Sequence, residues 1–98
     1  MMDTSQIEDL KQAASILKTI AHPLRLGVID LLEQHQRLSV TEICDAMQSE
    51  QSLTSHHLAT MRSKGVLESQ REGKNIYYKL KAKELKGVME TVKKCTIL

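Results

Sequence analysis

The chain is 98 residues long, 41% hydrophobic, and carries a formal net charge of +2. That length suits one domain around one small core, and that hydrophobic share excludes a chain disordered by composition. No run approaches the roughly eighteen apolar residues a membrane span needs, and the polar, acidic start MMDTSQIEDL is unlike a secretory signal.

Tyr77 and Tyr78 are the only Tyr, Trp or Phe residues, so the core is expected to be aliphatic. A small aliphatic core with much apolar helix surface is a reason to expect a dimer. Cys44 and Cys95 lie far apart with no C-x-x-C spacing, which points to a reducing cytoplasm. The charge is unevenly placed. Residues 1–61 hold four Lys or Arg against eight Asp or Glu, a balance of −4, and residues 62–98 hold ten against four, +6. Such a distribution suits a partner bearing phosphates, although a solvated lysine-rich surface would also produce it.

From Ile7 to Ala21, Leu10, Ala14, Leu17 and Ala21 recur at helical spacing with Ile16 and Ile20 beside them. The stripe is wide for a helix covering one small core, so this helix is expected to form a dimer surface as well. His22-Pro23 breaks the pattern, and proline at the first helical position starts a second helix, Pro23 to Gln34, with Leu24, Val28, Leu31 and Leu32 inward. After the polar turn Gln34–Arg37, Ser39 and Glu42 have the S-x-x-E spacing of a capping box. They open a short helix, Val40 to Met47, with Val40, Ile43, Ala46 and Met47 inward.

Glu50 to Lys64, EQSLTSHHLATMRSK, follows a three-residue turn. Leu58 and Met61 are its apolar anchors, with Leu53 further back, and its first half is small and polar. Two short helices joined this way form a helix-turn-helix. The second helix of such a pair reads base edges in the major groove with its N-terminal residues, for which Gln, Ser and Thr are suited. Gln51, Ser52, Thr54, Ser55 and His56 are the candidate readers, and Arg62 begins the basic half inside the same helix. Gly65 ends the helix. Val66 and Leu67 start a strand, 69–75 is a polar turn, and Ile76, Tyr78 and Leu80 alternate with Tyr77 and Lys79 as a second strand. Arg71 and Lys74 on this hairpin are placed to meet a phosphate backbone. A last helix, Ala82 to Cys95, carries Leu85, Val88, Met89 and Val92 at i, i+3, i+4 and i+7. The expected fold is mainly α with a small β-hairpin, a single domain over residues 1–98.

Ordered this way, the residues resemble the ArsR/SmtB type of winged helix-turn-helix repressor. The resemblance runs over about residues 13 to 80. It is carried by Ala21-x-Pro23-x-Arg25-Leu26 before Leu31-Leu32, Leu38-Ser39-Val40-x-Glu42-Ile43, Gln51-Ser52-x-x-Ser55-x-His57-Leu58, Gly65-x-Leu67, and Arg71-x-Gly73-Lys74-x-x-Tyr77-Tyr78-x-Leu80. It implies a homodimer joined through the first and last helices, here Leu10, Ala14 and Leu17 with Leu85, Val88, Met89 and Val92. It implies one recognition helix per major groove of an imperfect palindromic operator, with Gln51, Ser52, Thr54, Ser55, His56 and Arg62 on the DNA and Arg71 and Lys74 at the wing. His57 is expected to support packing, as are Tyr77 and Tyr78. His22 stands where many members carry an acidic or amide residue and is a poorer helix cap.

The family typically releases DNA when an effector binds. Metal-sensing members carry a C-V-C pattern where this chain reads Ser39-Val40-Thr41, and one remaining thiol, Cys44, is too few for a soft-metal site. The last helix has no histidine, and Glu84 and Glu90 fall on different faces, so no family-type zinc site and no cofactor is expected. Some relatives sense persulfide or oxidant through a cysteine pair. Cys95 is roughly placed for that and Cys44 is not, so three readings stand open: Cys44 as a small buried hydrophobe with Cys95 a frayed-end thiol, Cys44–Cys95 as a redox pair, and arsenite-like or other ligation across the dimer. His22, His35, His56 and His57 form no nucleophile–base pattern, and there is no glycine-rich phosphate loop, which argues against an enzyme. The rival reading is a winged-helix module that binds protein and not DNA; the basic hairpin and the small polar recognition face oppose it.

Overall fold

A computed structural model describes residues 1–96. Helix α1 spans Thr4–Ile20. It starts three residues earlier than the apolar stripe, because Asp3 accepts from the Gln6 backbone N–H at 2.8 Å while the Gln6 side chain accepts from the Asp3 N–H at 2.8 Å. This reciprocal cap satisfies two N–H groups that would otherwise lack partners. Only Thr19 and Ile20, at its far end, are buried. Helix α2 spans Pro23–Gln34, with proline at its start and His22 as its cap, Nδ1 accepting from the Leu24 N–H at 3.2 Å.

A short strand β1, Leu38–Ser39, precedes helix α3, Val40–Met47. The strand was not expected. It pairs antiparallel with strand β3, Leu38 opposite Tyr78 and Ser39 opposite Tyr77, and makes the hairpin a three-stranded sheet in the order β1-β3-β2. Two residues are too few for a side-chain alternation to register, so the sequence carries no sign of it. The Ser39–Glu42 capping box is formed, with Ser39 Oγ accepting from Glu42 N–H at 3.1 Å and Glu42 Oε1 from Ser39 N–H at 2.9 Å.

Helix α4 spans Gln51–Ser63, capped by the Glu50 carboxylate, which accepts from the Ser52 and Leu53 N–H groups. Strands β2, Leu67–Glu72, and β3, Asn75–Leu80, form the hairpin. They run further than the expected 69–75 turn allows. Ser69 to Glu72 pair with Tyr78 to Asn75, and only Gly73 and Lys74 link the strands. The ladder is made of backbone bonds, so polar side chains extend it freely where both faces meet water. Gly73, at φ +61°, takes the first linking position, where a tight hairpin turn needs a positive φ.

The last helix is broken. Leu85 belongs to a 3₁₀ turn, Lys83–Leu85, and helix α5 begins only at Val88 and runs to Thr96. Gly87 sits between them at φ +88°, its N–H donating to Glu33 Oε1 at 3.0 Å.

The core is one cluster built from every helix and the sheet: Ile20, Val28, Ile29, Ile43, Leu58 and Met61 meet Val66, Leu67, Tyr78, Leu85 and Met89. Ala46, expected inward, is exposed. So is Leu53, 48% accessible, because five helical positions place it about 140° from Leu58.

Candidate nucleic-acid interface

Helix α4 buries Thr54, His57, Leu58 and Met61 and turns Gln51, Ser52 and His56 to solvent, with Ser55 half-buried between the two faces. Thr54 is a correction. It was expected to face DNA, and it is fully buried, its hydroxyl sharing a 2.5 Å hydrogen bond with Ser49 and donating to the Glu50 carbonyl at 2.9 Å. It stands four residues before Leu58, on the same side of the helix. The outward face also includes Ala59, which is exposed and small.

A cleft of about 130 Å³ lies between this helix, the start of α3 and the tip of the hairpin. Gln51 and Ser55 line one wall, Lys74 and Asn75 the other, and Thr41 joins them from α3. The fold thus brings Gln51, Ser55 and Lys74 to one place from stretches some twenty residues apart. Thr41 and Asn75 were missed by sequence reasoning. Nothing in their local pattern marks them, since they meet the site only through tertiary packing.

Arg71 is exposed on β2, opposite Ile76. Its neighbour Glu72 is paired with Arg37, whose guanidinium also lies over the Tyr77 ring, 4.0 Å from its centre. The hydrogen bond from Arg37 holds the Glu72 carboxyl below the usual carboxylate range. The one acid near the tip is therefore already neutralised by a partner, and the hairpin end presents Arg71 and Lys74 as net positive charge. Arg62 is exposed, and its Nη1 donates to Ser69 Oγ at 3.1 Å, tying the end of α4 to the root of the hairpin. At the other end of α4, hydrogen bonds from Ser52 and Leu53 keep the Glu50 carboxyl low, so it stays charged as a cap.

Behind the outward face, His57 is 6% exposed and its Nδ1 accepts from Arg25 Nε at 2.9 Å. Burial first, then His22, Arg25 and His56, push its pKa below the usual imidazole value. The supporting role expected of His57 is the one its burial fits.

The apolar residues expected at a dimer surface separate into two groups. Leu10 and Leu17 are 52% and 60% accessible, Ala14 is exposed, Val92 is 37% accessible and Val88 half-buried. Leu85 and Met89 are 8% and 7% accessible and belong to the subunit's own core, a correction to their expected outward placement. The break at Gly87 puts Leu85 in a separate 3₁₀ turn, and within α5 Met89 faces the core while Val88 and Val92, four residues apart, lie on a neighbouring side of the helix.

Cys44 is half-buried on α3 and Cys95 exposed near the end of α5, both as free thiols. Among the described residues, no group of three or more His, Cys, Asp or Glu is placed to hold a metal ion. Where some relatives have thiolates, Ser39 Oγ is occupied as a helix cap, and Ser39 and Thr41 offer no soft donor, so a thiolate-type metal site does not fit here. No helix among the described residues is long and apolar enough to cross a membrane.

Among the described residues, five α-helices with a polar-faced second helix of a helix-turn-helix and a basic hairpin beside it define a winged helix-turn-helix protein. A family model described as "Bacterial regulatory protein, arsR family" matches residues 22–69. The chain is 40% identical over 81 residues to the transcriptional repressor PagR of Bacillus anthracis, an overlap spanning 83% of this chain and 81% of PagR. It is 33% identical over 94 residues to the HTH-type transcriptional regulator YgaV of Escherichia coli, 95% of each. The PagR crystal structure superposes with a TM-score of 0.78, covering 88% of this chain and 98% of that one at 37% identity. The homodimeric winged helix-turn-helix DNA-binding domain of Mb0332 from Mycobacterium bovis gives a TM-score of 0.80 at 26% identity, covering 97% and 87%. The chain belongs to the arsR family of bacterial regulatory proteins.

Proposed function

We propose that this chain is a homodimeric, sequence-specific DNA-binding transcriptional regulator, a repressor acting in the cytoplasm, with the whole chain as one DNA-binding and dimerisation unit. The carrying observation is the cleft that unites Gln51 and Ser55 with Lys74. Short base-reading side chains and a phosphate-directed cation standing side by side are what a groove and its flanking backbone require. Gln51, Ser52, Ser55 and His56 read bases of an imperfect palindrome; Arg62, Arg71 and Lys74 meet phosphates. Thr41 and Asn75 join the contact from the cleft walls.

The partner subunit covers α1. A helix of 17 residues that buries only its last turn leaves Leu10, Ala14 and Leu17 in water, and Val88 and Val92 extend the apolar surface from α5. The likeness to PagR, a repressor, supports repression, and the likeness to the homodimeric Mb0332 domain supports pairing.

The protein releases DNA on meeting an effector. With thiolate and histidine metal sites absent from the positions the family uses, the exposed thiol of Cys95 is the reactive group to test first, with Cys44 as its candidate partner. The test is a fluorescence anisotropy titration of reduced protein against the duplex upstream of its own gene, repeated after polysulfide or mild oxidant. Tight binding that is lost on treatment supports both readings. Equal binding by both forms keeps the regulator and removes the thiol sensor. Failure to bind that duplex or a random one at low salt would sink the DNA-binding reading in favour of a protein-interaction module.

A further inference from the structure

Arg25 joins three helices. Its Nε donates to His57 Nδ1 on α4 at 2.9 Å, and its Nη1 donates to the Thr19 carbonyl in the last turn of α1 at 2.8 Å. Among the described residues, no other side-chain hydrogen bond ties α1 to α2 or α4. Thr19 and His57 are both buried, at 7% and 6% accessibility, so the two bonds are sheltered from competing water. A planar guanidinium with several donors fixed in one fork spans two acceptors at once, whereas a lysine offers one nitrogen on a flexible stem.

The pair works with one protonation state only. Nδ1 accepts from Arg25, so the ring must be neutral. A protonated ring would turn an N–H toward the Arg25 N–H and bury a second positive charge beside the first. The charged and titratable groups that act on His57 are His22 and Arg25, from the cap and first turn of α2, and His56, its neighbour on α4. The His22 and His56 rings stand 4.4 and 5.8 Å from it, and α1 contributes the uncharged Thr19 carbonyl.

We propose that Arg25 and His57 are positioning residues that lock the recognition helix α4 to the dimer helix α1, and that protonation of His57 opens this lock and lowers affinity for DNA in mildly acidic conditions. The proposal rests on the DNA-binding reading above. Two recognition helices find two half-sites only if each keeps its angle to the dimer axis. Burial first, then His22, Arg25 and His56 around the ring, oppose protonation, so the lock is closed at neutral pH and opens below the ordinary histidine range. One pH unit below the midpoint about a tenth of subunits remain locked, so apparent affinity falls at least roughly tenfold.

The test titrates a labelled duplex from upstream of the gene at constant ionic strength from about pH 8 to 4.5, a range that runs below the ordinary histidine value because His57 is protonated only there. Circular dichroism and sedimentation velocity report fold and dimer at each pH. The background is His56→Gln, which takes the neighbouring imidazole on the outward face out of the comparison. In it, His57→Asn keeps an acceptor near the Nδ1 position and cannot be protonated. We expect the background protein to lose at least about tenfold in affinity at the acid end while still dimeric, the His57→Asn form to show a flat profile whatever its baseline, and Arg25→Gln to bind weakly at every pH. An acid loss unchanged by His57→Asn, no acid loss in the background, or full affinity in Arg25→Gln overturns the proposal. If Arg25→Gln fails to fold, the two His57 forms decide it. Absence of binding by every form at pH 8 is a different failure, that of the DNA-binding reading, and removes this inference with it.

Discussion

His57 accepts a hydrogen bond at Nδ1 from Arg25, so its neutral ring carries the proton on Nε2. A buried imidazole whose folded pKa lies below its unfolded one makes the folded state the poorer proton binder. Its contribution to stability is complete above the ordinary histidine value and is lost as pH falls from there through the lowered folded value. Urea midpoints measured through that window should fall with acidity in the native protein and fall less steeply in His57→Asn; parallel slopes would count against the assignment. On the outward face, Gln51→Ala and Ser55→Ala are expected to weaken specific binding by about 1–3 kcal/mol each and leave non-specific binding nearly intact. Lys74→Ala should weaken both kinds and reduce the salt slope by about one unit. Equal losses by Gln51→Ala on operator and random duplex would remove it from base reading.

Among the elements, the end of the chain departs most from its sequence pattern. Leu85, Val88, Met89 and Val92 have the spacing of one helix face, yet Gly87 interrupts it at φ +88° and its N–H bonds to Glu33 on α2. Two short pieces then meet the core at separate places, Leu85 from the 3₁₀ turn and Met89 from α5. Replacing Gly87 with Ala introduces a Cβ into a left-handed backbone with nothing crowding it, so the cost is conformational strain of about 1–2 kcal/mol. A thermal melt should show it; an unchanged or raised midpoint would mean that a continuous last helix is equally accessible. The opposite case is α3. Its capping box was legible as Ser39-x-x-Glu42 and forms as expected, and Ser39→Ala should cost about 1 kcal/mol.

At the scale of the whole molecule the subunit is elongated, 51 × 33 × 22 Å, with a radius of gyration of 14.6 Å against about 13 Å for a compact chain of this length. Much of that extension is α1, most of which stands away from the core. Helices in proteins draw most of their stability from packing of an apolar face, and in this subunit only the last turn of α1 is packed. Leu17→Glu places a charge on the exposed stripe without touching the core. It is expected to give a folded monomer by sedimentation and to lose most operator affinity; a dimeric Leu17→Glu protein would place the interface elsewhere.

The sequence by itself determined the first four helices, the His22-Pro23 start of α2, the Ser39–Glu42 cap of α3 and the family. Periodicity, Pro23, the Ser39–Glu42 spacing and the polar first half of α4 are local signals, written within a turn or two of the residues they organise. It even contained the burial of Thr54, which sits one turn before Leu58. Tertiary structure decided what depends on residues far apart in the chain meeting. It pairs Leu38–Ser39 with β3, puts Thr41 and Asn75 beside Gln51, neutralises Glu72 with Arg37, and joins Arg25 to both Thr19 and His57. None of these has a period or a motif, because each arises from the angle at which two elements pack and not from the order of residues within either.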